Sequence, residues 1–388
     1  MTRRMVPHFL VAAAAVAVLL GLELILRAVG YSSPGWYRPD PRLGWALRPG
    51  MSGWFSGEGK AFVQINSAGQ RDREHRIDKP ENVYRIAVLG DAFSEGMQVA
   101  LDRTYWALLP ELLASCGFQP GKRVEVLNFG VRGYSTAQAY LTLETSALRY
   151  RPDLVLLQFS NGNDVRDNSY ALDPKRDERP FFVLDEQGRL RLDDSFASAG
   201  AYASRVSFSR KVLRKLAEHW RLLQLARGVR NLAVVERAHA GSAPNETGLE
   251  TEVLAAPRAA PWKEAWRITE GLIVEMGRLA MRNGARLAVL TVPYAMHVHP
   301  DAAQREALLA KYGVADLAYP ERRVASFAEQ NGILAIVLGS QMQAIAAATR
   351  SSLYGFENAK PGFGHWNELG HRAAAAVIAQ QLCAQLGQ

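Results

Sequence analysis

The sequence predicts a parallel α/β fold whose central sheet is covered by helices on both faces, and three observations predict it. Short apolar runs recur at Tyr84–Leu89, Val124–Phe129, Leu154–Phe159, Arg286–Val292 and Ile333–Leu338, the pattern of strands buried on both sides. Stretches with helical spacing lie between or after them, at Arg103–Cys116, Ser135–Tyr150, Trp262–Asn283, Pro320–Gln330 and Gly370–Leu386. The 388 residues are 48% hydrophobic and 22% charged, ample material for one large core.

The elements follow in chain order. After Arg3 and Arg4, an uncharged stretch from Phe9 to Leu22, extended by counting Met5–Leu26, is long enough to span a bilayer. The two arginines should stay cytoplasmic and send the rest of the chain outward. Glu23 and Arg27 are four apart and can pair near the outer interface. A cleaved signal peptide is the rival reading, with Ala28-Val29-Gly30 as its small-residue site. The charged segment between that site and the apolar core favours a retained signal-anchor over 1–31, and hence a single-pass protein of the inner (cytoplasmic) membrane with its main domain periplasmic. Residues 32–80 are rich in Gly, Pro and Trp, with Lys60–Asn66 as the best strand, and read as a small β-rich collar. The main domain is expected at 81–388, interrupted by an insertion at about 168–260. In that insertion, Pro180–Leu192 reads as a hairpin. Ser207–Arg230 reads as a basic amphipathic helix carrying Val212, Leu213, Leu216, Trp220 and Leu223, and His239–Pro257 as a mobile loop.

Charge and cysteine content exclude several classes. The net charge of +8 is spread thinly, so nucleic acid is not an expected partner, whereas an anionic glycan or membrane surface suits it. Two cysteines, Cys116 and Cys383, are too few and too far apart for a zinc or redox motif. In a periplasmic domain they can form a disulfide between neighbouring helices, or remain two buried thiols. His297 and His299 lack the acidic partners of a metal site, and no cofactor is expected.

Four segments carry a resemblance. Gly90-Asp91-Ala92-Phe93-Ser94-Glu95-Gly96 follows the first strand. Asn128-Phe129-Gly130-Val131-Arg132-Gly133-Tyr134 follows the second, and Ser160-Asn161-Gly162-Asn163-Asp164 the third. Gly364-His365-Trp366-Asn367 precedes the last helix. In that order they resemble the four blocks of the SGNH (GDSL-type) esterases, in a membrane-anchored bacterial branch. Gln64-Ile65-Asn66-Ser67 and Gly69-Gln70-Arg71-Asp72 are similar to the lead-in of that branch.

The resemblance implies a flavodoxin-like three-layer α/β/α domain and ester chemistry at the sheet's C-terminal edge. It places the nucleophile at Ala92, the base at His365, and oxyanion donors at the residue-92 N–H, the Gly133 N–H and the Asn163 amide. Serine is replaced by alanine at 92. The positions where the family carries its acid, Gly362 and Phe363, cannot ionise, so the triad acid is expected to be missing. Ser94 is read as a hydroxyl satisfying helix amides, Asp91 as structural, Glu357 as a surface glutamate and His371 as a packing or capping group. The implied function is O-acyl (acetyl) ester chemistry or binding on a cell-surface glycan, catalytically impaired. The alternative is a non-catalytic glycan-binding or scaffold component of an envelope polysaccharide assembly.

Overall fold

The computed structural model describes residues 5–173, 177–226, 228–229 and 251–387. Four short strands, β1 (Tyr37–Asp40), β2 (Gly44–Leu47), β3 (Ser52–Phe55) and β4 (Ala61–Gln64), form two antiparallel hairpins. They bury Trp36, Leu47, Val63 and Ile65 against Met97, Val131 and Tyr134. Those last three residues belong to loops of the main domain, so the hairpins share a core with it instead of folding apart.

The main sheet comprises β5 (Val83–Leu89), β6 (Arg123–Asn128), β7 (Leu154–Ser160), β10 (Arg286–Val292) and β11 (Leu334–Val337), all parallel, in the order β11-β10-β7-β5-β6. Numbered within the sheet this is 2-1-3-4-5, the flavodoxin-like arrangement, whose switch point lies between β5 and β7. Every residue of β5 and β7 is buried, which explains their lack of alternation. One face packs against helices Tyr105–Ser115, Gly339–Thr349 and Glu368–Leu386 through Trp106, Leu109, Met342 and Ile378. The other meets helices Thr136–Thr145, Ala260–Arg282 and Tyr319–Gln330 through Leu143, Trp266, Met276 and Val324. The central parallel sheet with helices on both faces is a three-layer α/β/α fold.

Cys116 and Cys383 form a disulfide, with Cα atoms 6.4 Å apart, between the ends of two helices packed side by side on one face. At the other end of the chain, helix Met5–Ala28 contains a stretch, Leu10–Ala28, of mean hydropathy 2.2 that is almost wholly exposed. It is long and apolar enough to cross a membrane. Glu23 and Arg27 pair at 2.8 Å.

The insertion departs from expectation in two places. Strands β8 (Phe181–Leu184) and β9 (Leu190–Asp193) form the hairpin, but the long helix breaks. It runs over Phe208–His219, and Trp220 is extended. The break is stabilised both from outside the segment and from within it. Glu23 accepts the N–H groups of Arg221 and Leu222, both at 3.0 Å, while the Gln224 amide donates to the Ala217 and Glu218 carbonyls. Residues 239–250 of the expected mobile loop lie outside the described residues. Thr251–Leu254 is a helical turn with Val253 buried in the core of the sheet's second face and Leu254 buried against Tyr294, Met296 and Leu317. Helices Ala302–Tyr312 and Gly339–Thr349 were not anticipated from the sequence.

Candidate active site

The loops after β5, β6 and β7 meet at the switch point, where an open α/β sheet offers its crevice. After β5 the chain turns at Gly90, where a Cβ would lie 2.3 Å from the Gln158 Oε1. That oxygen accepts the Asp91 N–H and the Ser94 hydroxyl, both at 3.0 Å. Asp91 caps the short helix Ala92–Glu95 by accepting the Phe93 N–H at 3.0 Å. Ala92 therefore opens a helix, buried to 5% exposure, with only a methyl group to offer. Ser94 is fully buried and bonds Tyr105 and Gln158. Its hydroxyl is a structural link between elements, not a cap of helix amides and not a spare nucleophile.

Gly133 sits after β6 with φ +75, a conformation that favours glycine, and Trp45 of the β2 strand closes over it. The indole donates to the Arg132 carbonyl at 3.0 Å, and the Tyr134 hydroxyl donates back to the Trp45 carbonyl at 2.6 Å. Asn163 precedes the short helix after β7 and is half-buried. Its amide donates to Asp167 at 3.2 Å, which leaves its second N–H for another acceptor. Beside it, Asn161 is fully buried, and neither of its amide atoms has a partner among the described residues.

The structure corrects one expectation directly. The positions before His365 cannot ionise, but a carboxylate does reach its ring, from Glu58 on the loop joining β3 to β4. The Glu58 Oε2 lies 2.5 Å from the His365 Nδ1, and its Oε1 accepts the His365 backbone N–H at 2.7 Å. Gly364 makes room, since a Cβ there would meet the Glu58 carboxylate at 2.2 Å, and its φ of +84 independently favours glycine. The glutamate loop is held in turn by Asn358. That side chain accepts the Gly59 N–H at 2.9 Å and donates to the Gly59 carbonyl at 2.8 Å. Burial alone would raise the Glu58 carboxyl. The bonds and charge of His365, with Arg132 nearby, instead hold it below the usual carboxylate range. With the carboxylate accepting at Nδ1, the imidazole's Nε2 is the nitrogen left with a lone pair. The His365 ring stands 5.1 Å from that of Phe93, the residue that follows Ala92. Glu357 is exposed.

Other candidates lie elsewhere. His371 is buried in the last helix, and its Nδ1 accepts the Tyr105 N–H at 3.2 Å, capping the neighbouring helix. Burial, with Arg71 and His365 nearby, pushes its pKa down to about 3. His297 is half-buried, 3.6 Å from Glu321 on the β10 side of the sheet, and desolvation pushes it down to about 4. No cluster of three potential metal ligands occurs among the described residues. Under the crevice, Asp164 is raised well above its ordinary value by burial and by the charge of Asp91.

No family model matches the chain. An arylesterase from Vibrio mimicus is 29% identical over 82 residues, 21% of this chain, and the match spans only 39% of that protein's length. Similar solved structures include an acetyl xylan esterase from Geobacillus stearothermophilus, at 11% identity and a TM-score of 0.38, covering 77% of this chain and 94% of that one. TesA is similar at 12% identity and a TM-score of 0.37, covering 77% and 98%.

Proposed function

We propose that this protein is an SGNH-type, ester-recognising protein held at the outer face of the cytoplasmic membrane. In this reading it binds the O-acyl group, acetyl first, of a cell-surface glycan, and the sequence with Ala92 does not turn that ester over usefully. The single observation that carries the proposal is the His365–Glu58 pair, whose imidazole stands 5.1 Å from the ring of Phe93, the residue that follows Ala92. An N-terminal helix long and apolar enough to cross a membrane and the modest positive charge support a polymer substrate near the membrane.

The chemistry follows from the geometry. A serine at position 92 would attack the acyl carbon while the His365 Nε2 accepted its proton. The tetrahedral oxyanion would be met by the residue-92 N–H, the Gly133 N–H and the free N–H of Asn163. Collapse expels the alcohol, protonated by His365, and water then attacks the acyl-enzyme by the same route. Glu58 keeps the imidazole in the tautomer that can act as base. Without an Oγ no acyl-enzyme forms, and binding plus oxyanion stabilisation are what remain.

The test is acetate release from p-nitrophenyl acetate and from an acetylated glycan by the full chain, compared with Ala92→Ser. Turnover only by Ala92→Ser, abolished by adding His365→Ala, supports a competent site lacking one oxygen atom. Comparable turnover by the unsubstituted chain refutes impairment. If neither form turns over and neither binds the acetylated glycan, the ester reading itself fails.

A further inference from the structure

Helix Phe208–His219 buries none of its residues and leaves an apolar arc on the surface. Phe208, Val212, Leu213 and Leu216 fall on one arc of it and are exposed, Phe208 to 81% and Leu213 to 57%, and the exposed Trp220 follows at its end. On the other arc two half-buried side chains reach the protein, Glu218 pairing with Arg48 at 2.5 Å and Arg214 donating to the Arg205 carbonyl at 2.9 Å, while Arg210, Lys211 and Lys215 are exposed. A contiguous exposed apolar face of this kind marks an interaction surface.

Its place in the fold says what covers it. The turn that ends the helix is bolted to the foot of the apolar N-terminal helix. Arg27 donates to the His219 carbonyl, and Glu23 accepts the Arg221 and Leu222 N–H groups. One step further along, Gln224 accepts the Ser33 N–H at 2.9 Å, and Arg221 donates to the Ser32 hydroxyl at 3.0 Å. Glu23 lies five residues before the end of the apolar stretch at Ala28, about 7–8 Å along a helix axis. The turn is therefore fixed at the depth where a spanning helix leaves the hydrocarbon. Arg210, Lys211, Arg214 and Lys215 share the other arc, the composition of a helix lying in the interface of an anionic membrane.

We propose that Phe208–His219 is an interfacial membrane helix, its apolar arc sunk at the acyl boundary and its basic residues among anionic lipid headgroups. It rests on the reading of Met5–Ala28 as membrane-spanning. Together the two helices form a two-point mount, and the Arg48–Glu218 pair passes that fixed height on to the hairpins carrying Trp45 and Glu58.

The experiment is nitroxide accessibility on the full chain reconstituted in phosphatidylcholine–phosphatidylglycerol vesicles. Single labels go at Leu19→Cys, Leu213→Cys, Leu216→Cys and Lys215→Cys, the native cysteines being joined to each other. Labels at 213 and 216 are expected to collide with oxygen and to be shielded from a water-soluble nickel chelate at shallow depth, with 215 open to nickel and 19 deep. If 213 and 216 are as open to nickel as 215 while 19 is deep, the spanning helix stands and the interfacial helix is overturned. If 213 and 216 are shielded from both agents, protein covers the face, whether residues 231–250 or a second copy, and the lipid proposal is again overturned. A label at 19 open to nickel overturns the spanning reading and this proposal with it.

Discussion

At His365 the ring and the backbone amide both end on one carboxylate, so altering Glu58 disturbs the base in two ways at once. In the Ala92→Ser background, Glu58→Gln offers an amide N–H to Nδ1 and so favours the tautomer that cannot accept a proton from serine. A fall in kcat of roughly 10²–10⁴-fold with little change in KM is expected. Unchanged kcat would mean that Glu58 only braces the loop. Gly364 makes a separate test of the same contact. A methyl there meets the Glu58 carboxylate on a backbone at φ +84, so Gly364→Ala is expected to cost at least about 1 kcal/mol of stability. It should also displace the acid, read as a lower melting temperature and a lower kcat in the same variant. Ala92 and His365 could be singled out as candidates because each sits in a local motif. Glu58 could not, because it lies 307 residues from its partner. The local hint was a glutamate between Gly57 and Gly59 at a hairpin tip, with a glycine immediately before the histidine.

Between elements, the acid depends on how two loops are joined. Asn358 binds both polar groups of the Gly59 peptide backbone from the loop that leads to His365. Asn358→Ala is therefore expected to speed amide exchange at residues 56–60 and to lower activity in the Ala92→Ser background, without touching substrate. Unchanged exchange there would show that the hairpin core alone holds the loop. The disulfide is the second joint. It ties helix Tyr105–Ser115 to the final helix across 267 residues of chain. Cys383→Ser should destabilise by roughly 2–5 kcal/mol, seen as a lower denaturant midpoint, and a change below about 0.5 kcal/mol would refute it. The strands were legible because burial on both faces leaves them short, apolar and bounded. The break at Trp220 was not, since the groups that stabilise it include Glu23, some 198 residues away. Helices Ala302–Tyr312 and Gly339–Thr349 went unseen for a different reason. The first buries none of its residues and the second only three, so neither prints a strong apolar stripe.

Over the whole molecule, the buried ionisable groups set opposing slopes of stability against pH. His371 titrates near 6.5 when exposed, but burial, with Arg71 and His365 close by, takes it to about 3 in the fold. Between those values the unfolded chain takes up a proton that the native state refuses, so stability falls as pH drops from 6.5 toward 3. Glu95 has the reverse sign. Burial raises it to about 7, against the pull of the Tyr37 hydroxyl and of the Arg132 and Arg71 charges. Its contribution is fully present below its ordinary value of 4.5 and is lost as pH rises through 7. The two slopes oppose each other between about 4.5 and 6.5. Below that window His371 acts without opposition from Glu95, and above it Glu95 acts without opposition from His371. Each variant should therefore change a slope, whatever it does to the mean. The melting temperature of Glu95→Gln minus that of the parent is expected to grow from pH 5 to pH 8. For His371→Gln the same difference is expected to grow from pH 6.5 down to pH 4. A difference that stays constant with pH in either series would show that the group is not buried in the charge state the fold assigns to it.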